Sequence, residues 1–204
     1  MRIKNEVMIM VQEYTSANTS INKSKLPAIF KMVDFEPITI NLDYGGGKYD
    51  NATDYLVEKN VFNFVYDPYN RSEEHNKEVI NFLENWEKAD TATCSNVLNV
   101  IKEPEIRENI LRHIKSLVKP NGYIYITVYE GTKDGKERPT KSGYQLNRKT
   151  EDYMEEIRKV FPNAIRKGKL IYIIYCSVHI HTMSYTCNHE YGGYDNLCNN
   201  EDSY

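Results

Sequence analysis

The chain is poor in the features that mark secreted, membrane-spanning or nucleic-acid-coating proteins. Four cysteines in 204 residues are too few to frame a disulfide scaffold, and one of them, Cys94, falls in a predicted buried strand. No stretch approaches the ~20 consecutive apolar residues of a membrane span. Glu6, Gln12 and Glu13 interrupt the N-terminal segment where a secretory leader would need an apolar core, so the reading is cytoplasmic. Positive charge is not in excess: Lys+Arg 26 against Asp+Glu 29 gives a net charge of −3, which provides no overall field for nucleic acid. There is no internal repeat and no C-x-x-C. His179, His181 and His189 with Cys176, Cys187 and Cys198 match no common zinc spacing, so no metal is expected.

What is present is a strand–helix alternation in a chain of one-domain length. In "KSKLPAIFKMV" Leu26, Ile29, Phe30 and Val33 share a face, predicting a short helix capped by Ser24. "PITINLDY" alternates Ile38, Ile40 and Leu42 as a strand. A helix follows from about Asn51, with Ala52, Tyr55 and Leu56 as its stripe and Asn51 and Asp54 as a loose capping box. "VFNFVYD" is the second strand. "RSEEHNKEVINFLENWEK" is a helix capped by Ser72, with Val79, Phe82, Leu83 and Trp86 on one side. "DTATCSN" is the third strand. The next helix starts near Pro104, carries Ile106, Ile110, Leu111, Ile114 and Leu117, and ends at Pro120-Asn121-Gly122. "YIYITVYE" is the fourth strand, Thr150 caps a helix running to Phe161, and "NAIRKGKLIYIIYCS" forms a hairpin turning at Lys167-Gly168.

This pattern predicts an α/β, Rossmann-like fold: a mostly parallel sheet with helices on both faces and a C-terminal antiparallel hairpin. Residues 37–177 form that domain, 1–36 precede it with the short helix, and 178–204 lose periodicity and read as a flexible tail.

Ligands of such sheets bind beyond the strand carboxyl ends, near the switch point. Three predicted strand ends converge there: Asp43-Tyr44-Gly45-Gly46-Gly47, Asp67-Pro68-Tyr69-Asn70 and Cys94-Ser95-Asn96. Glycine after a strand admits positive φ and lets backbone approach a ligand. An acid ending the second strand is placed to accept from two ribose hydroxyls and repels a phosphate. Together these point to a nucleoside-type cofactor. A dinucleotide fingerprint fails because Asp50 stands where its third glycine belongs, and a Walker loop fails because Tyr49 follows Lys48.

At these residues the chain resembles the class I S-adenosylmethionine-dependent methyltransferases. Asp43-x-Gly45-x-Gly47 matches their first motif, Asp67 corresponds to their acid at the end of strand two, and "LVKPNGYIYITV" is similar to their run into the next central strand. The resemblance spans roughly residues 37 to 175. It implies S-adenosyl-L-methionine as cofactor, held by Asp43, Gly45, Gly46, Gly47, Asp67, Pro68 and Asn96. More narrowly, "SNVLNVI" resembles methyltransferase-like proteins of phages and of DNA-phosphorothioation gene clusters. Two departures stand out. Tyr49 occupies the position of the motif's third glycine. The 22 residues separating Asp67 from Asp90 leave the usual strand and adenine-contacting loop missing or vestigial, with Asn85 or Trp86 as substitutes.

The acceptor, nucleic acid or small molecule, is not legible. Asp67-Pro68-Tyr69-Asn70 superficially matches the motif of DNA amino-methyltransferases, but that motif belongs after the third strand, where "CSNVLN" lacks proline and aromatic. A cysteine-based carbon methyltransferase would need a Pro-Cys loop, which Cys94 lacks. No catalytic residue is identified. The loop "YEGTKDGKERPTKSGYQLNR" has no apolar stripe and is long enough for a lid; Glu130, Lys141, Gln145, Asn147 and Arg148 are its candidate substrate contacts, against the plain alternative of a solvated loop. Three activities stay open: transfer, binding or sequestration of the cofactor without transfer, and breakdown of the cofactor.

Overall fold

The computed structural model describes residues 12–15 and 25–176. The alternation noted above becomes strands β1 (Ile40–Tyr44), β2 (Phe62–Tyr66), β3 (Ala89–Ser95) and β4 (Val118–Thr127), with helices α1 (Ile29–Met32), α2 (Asn51–Val57), α3 (Glu73–Asn85) and α4 (Pro104–Leu117). A small hairpin, β5 (Arg138–Thr140) and β6 (Gly143–Gln145), precedes α5 (Met154–Val160) and the closing hairpin β7 (Ile165–Lys167) and β8 (Leu170–Ile174). The main sheet runs β2-β1-β3-β4-β8-β7. Its first three pairings are parallel and the two involving β8 are antiparallel, the Rossmann-like arrangement expected. Because β1 lies between β2 and β3, the connections diverge there, and the switch point falls between β1 and β3.

The pleat sorts side chains onto two faces. Leu42, Tyr44, Ala92, Cys94, Ile124, Ile126, Ile171 and Ile173 point into a core with Val79 and Leu83 of α3, Leu111 and Ile114 of α4, and Ile157 and Val160 of α5. Ile29, Phe30, Ala52 and Leu56 of α1 and α2 form a second cluster with Val33, Phe35 and Val61. Cys94 is fully buried, as predicted, and burial pushes its thiol well up, so it is inert as a nucleophile.

Several local expectations change. α1 begins after Ala28, which has helical angles and provides no side-chain cap; Ser24 lies outside the described residues. Asp50, not Asn51, precedes α2, and no side chain caps it. Ser72 does cap α3, accepting from the His75 N–H at 3.2 Å. Trp86 leaves the predicted stripe: it follows the last turn of α3 and is 78% exposed. α4 ends at Leu117, and Pro120-Asn121-Gly122 already belong to a bulged start of β4. Lys149, not Thr150, stands before the last helical segment, with the Asp152 carboxylate accepting from its N–H at 2.9 Å. Between β2 and β3 there is only α3, so the strand expected to be missing or vestigial is missing, and among the described residues β2 is a sheet edge. α3 runs roughly 20 Å from the carboxyl to the amino ends of the strands. Asn85 and Trp86 therefore sit at the far end from the glycine turn and do not replace the adenine contact. The predicted tail, with its histidines, Cys187 and Cys198, lies outside the described residues. Among the described residues no helix is long and apolar enough to cross a membrane, and no group of His, Cys, Asp or Glu is arranged to hold a metal.

Candidate functional site

Asp43 is the penultimate residue of β1 and is buried on the face toward α2. A polar ladder leads to it across the sheet. Asn63 donates to Thr53 of α2 at 2.9 Å, Asn41 donates to Asn63 at 2.8 Å and to the Thr93 hydroxyl at 3.1 Å, and Thr91 donates to Asn41 at 2.8 Å. Thr93 completes the chain by donating to Asp43 Oδ1 at 3.2 Å. A buried polar row in a parallel sheet is tolerated because each member finds a partner. Burial, opposed by Thr93 and assisted by the Asp67 charge, raises the Asp43 carboxyl to about 7.

The glycine turn closes over this carboxylate. Gly45 and Gly47 have φ of +75° and +77°, the left-handed region that glycine enters freely. Gly46 lies against Asp43 so closely that a Cβ would run into its Oδ2, and a Cβ on Gly45 would strike the Val97 side chain after β3. Tyr49 is half-buried with Lys48 Nζ over its ring, 5.4 Å from the centroid.

Asp67 follows β2 and is 4% exposed. Its Oδ2 accepts from the Gly47 N–H at 2.9 Å, and its Oδ1 accepts from the Tyr69 and Asn70 N–H groups, both at 3.0 Å. The Asn70 amide donates to both oxygens, at 3.1 and 3.2 Å. Asn76 of α3 bonds both backbone groups of Asp67, each at 3.0 Å. Arg71 donates to the Gly47 carbonyl at 2.7 Å and pairs with Asp50 at 2.7 Å. The ends of β1 and β2 are therefore tied by Asp67 and Arg71. Pro68 is exposed beside this knot.

Asn96 is exposed after β3, has φ of +59°, and donates its N–H to the Thr127 carbonyl at 2.8 Å. It borders a cavity of about 310 Å³ over the ends of β3 and β4, shared with Ser95, Thr127, Val128, Glu130, Lys133 and Lys169 and covered by Ala28 and Met32.

The loop candidates separate. Glu130 lines the cavity; the Thr150 N–H and hydroxyl, both at 2.9 Å, and Lys133 at 3.0 Å hold its carboxyl down to about 2. Gln145 and Asn147 are buried scaffolding: Gln145 joins Asn99 and the Tyr129 carbonyl, and Asn147 joins Lys136 and Thr132. Arg148 is paired with Glu137, and Lys141 is exposed in the β5–β6 turn. The structure thus brings Asp43, Gly45, Gly46, Gly47 and Asp67 together, sets Asn96 and Glu130 at the adjoining cavity, and keeps Lys141, Gln145, Asn147 and Arg148 out of it. Thr93, Arg71 and Asn76 escaped notice in the sequence, since their partners are distant or visible only once the turn is folded, and Asn70, named there only as part of a strand end, proves to donate to both Asp67 oxygens.

These features fit a cationic nucleoside cofactor: a side-chain-free turn over a buried acid at the switch point, with a second acid at the end of β2. The methyltransferase domain family matches residues 23–163, well over half of the chain. The chain belongs to this family. It is an S-adenosylmethionine-dependent methyltransferase domain, with S-adenosylmethionine as cosubstrate. Its fold is similar to that of the 1,6-didemethyltoxoflavin-N1-methyltransferase of Burkholderia thailandensis, solved with 1,6-didemethyltoxoflavin and S-adenosylhomocysteine, at 16% identity, TM-score 0.50, covering 70% of this chain and 72% of that one. It is also similar to human N-acetylserotonin methyltransferase in complex with S-adenosylmethionine, at 15% identity and TM-score 0.51, covering 74% of this chain but only 51% of the human one. No curated protein sequence matches this chain.

Proposed function

We propose that the methyltransferase domain, residues 37–177, holds its cofactor across the carboxyl ends of β1, β2 and β3 through Asp43, Gly45, Gly46, Gly47, Asp67, Pro68 and Asn96. It methylates a small acceptor in the adjoining cavity. The observation that carries this reading is the glycine turn, left-handed at Gly45 and Gly47 and pressed onto buried Asp43 at the switch point. The cofactor supplies a methyl group on a sulfonium. The chain supplies position: the turn offers backbone without side chains, Asp43 and Asp67 favour a cation, and the residues after β3 and β4 orient the acceptor. Glu130 is the loop residue retained as an acceptor contact.

The test is cofactor titration. Replacing Gly47 by Val forces a branched side chain into φ +77° and should weaken S-adenosylmethionine binding at least about tenfold with folding retained. Normal binding by Gly47→Val would reduce the turn to a purely structural role.

A second reading has its own support. The Asp67 oxygens are already engaged by Gly47, Tyr69 and Asn70, and the strand between β2 and β3 is absent. A protein that binds or breaks down the cofactor without transfer is consistent with such a reduced adenine side. Incubation with methyl-labelled cofactor and cell extract separates the readings: label in an acceptor supports transfer, intact cofactor supports binding, and acceptor-free breakdown supports destruction. The resemblance read in residues 95–101 motivates a further alternative, an acceptor in DNA; label appearing in DNA would support it, and label confined to small molecules would count against it.

A further inference from the structure

We propose that the cavity over β3 and β4 selects a small organic acid and anchors its carboxylate at Lys169. This rests on the methyltransferase reading of the neighbouring crevice and adds the chemical class of the acceptor.

Size comes first. A cavity of about 310 Å³ lies at the small end of sites for drug-sized molecules, a volume that suits a small acceptor. Its layout follows from the sheet. Asn96 immediately follows β3, Thr127 ends β4, and Lys169 immediately precedes β8, whose Leu170 is registered opposite Thr127. Neighbouring strands stand about 4.8 Å apart, so Asn96 and Lys169 lie roughly 10 Å apart across the cavity. The Asn96 end adjoins the glycine turn, since Gly45 contacts Val97. The Lys169 end is the far one.

Charge decides what occupies that far end. Glu130 is already satisfied: Thr150 occupies Oε1 and Lys133 sits 3.0 Å from Oε2. Lys169 has no carboxylate partner among the described residues. The lining therefore carries one uncompensated cation. Between the ends, Ala28, Met32 and Val128 offer apolar surface, and Met32 is a side chain that adapts to ligand shape. The matching ligand has an acceptor atom at one end, an apolar body and a single negative charge about 10 Å away. A lone lysine suits a carboxylate monoanion, whereas a phosphate draws several cations or a guanidinium fork.

The experiment is ligand-observed NMR on the full chain, with and without S-adenosylhomocysteine. The probes are small hydroxyaryl and hydroxyalkyl carboxylic acids, each paired with its primary amide, plus a short single-stranded DNA. In the unmodified protein the acids should bind at least about tenfold more tightly than their amides. Lys169→Met should abolish that preference, and Lys169→Arg should retain it. Lys169 is exposed, and unchanged thermal melting of both variants would confirm folding. The proposal is overturned if no acid binds, if amides bind equally well, if the preference survives in Lys169→Met, or if the DNA binds through Lys169 instead. Failure of S-adenosylhomocysteine to bind would undo the cofactor reading separately, because the acid preference is also scored without it.

Discussion

At the scale of single residues, Asp43 and Asp67 divide the work that the sequence assigns to two acids alike. Asp43 is sealed behind the glycine turn with a carboxyl raised to about 7, mainly by burial. Its folded form holds a proton more tightly than the unfolded chain, so this residue's stabilising contribution is complete below about pH 4 and is lost as pH rises through 7. Substituting Asp43 by Asn should flatten that part of the stability-versus-pH curve, read by denaturant unfolding. A cationic cofactor favours the ionised form. Binding should therefore release protons near neutrality and tighten from pH 6 to pH 8, approximately the interval around the Asp43 titration, as calorimetry in buffers of different ionisation enthalpy would register. Asp67 is also a structural clamp, since its oxygens accept from three backbone N–H groups and the Asn70 amide. Asp67→Ala should cost about 1–3 kcal/mol of folding for each buried donor left unsatisfied, in addition to weakening cofactor. Asn70→Ala tells the roles apart. If a ribose diol displaces the Asn70 amide, that variant binds cofactor as well as or better than the unmodified chain; a marked loss of affinity would show that Asn70 belongs to the site.

At the scale of elements, the loop after β4 is a built structure rather than a loose lid. It contains the β5–β6 hairpin. Buried Asn99 joins it to the turn after β3 through Gln145, the Tyr129 N–H and the Leu146 N–H at 3.0–3.2 Å. Asn147→Ala, which frees the Thr132 N–H and the Lys136 carbonyl, should speed amide exchange through residues 129–148 while leaving the sheet protected. Uniform exchange across the domain would show that the loop has no local stability of its own. Arg107 performs the same task beneath. It is 1% exposed, pairs with Glu156 at 2.7 Å and donates to the Ile101 and Lys102 carbonyls at 2.8 and 2.9 Å. Arg107→Ala leaves a carboxylate and two carbonyls uncompensated and should destabilise by about 3–5 kcal/mol, visible as a lowered denaturation midpoint.

At the scale of the whole molecule, the sheet is shortened on one side and closed on the other. Among the described residues β2 is an outer strand, with Phe62 63% exposed at its start. On the other side β7 and β8 complete the core, and Tyr175 ties the end of β8 to β4 by bonds with Asn121 and Gly122 at 2.5 and 2.8 Å. A chain stopped after Ser177 keeps all these contacts. It should melt within a few degrees of the full chain and bind cofactor unchanged, because the removed segment is poor in apolar periodicity. A large fall in melting temperature, or zinc found by mass spectrometry in the full chain, would assign the Cys/His-containing segment a role.

The sequence by itself determined the strand–helix order, the Ser72 cap, the buried fate of Cys94, the glycine turn and the absent strand before β3. Each depends on local periodicity, backbone freedom or the number of residues available between two points. Only tertiary structure decided which polar residues touch. The ladder from Thr53 to Asp43 joins three strands and a helix, and the saturation of Asp67 depends on a turn that brings Gly47 within 2.9 Å. Gln145 and Asn147 read as candidate substrate contacts of the loop because a polar side chain carries no local sign of the distant groups it will satisfy; both are instead buried scaffolding. Lys169 is unremarkable in sequence, within the turn of a hairpin. It becomes the charge at the far end of a cavity because β8 lies beside β4, a pairing made by the sheet and not by neighbouring residues.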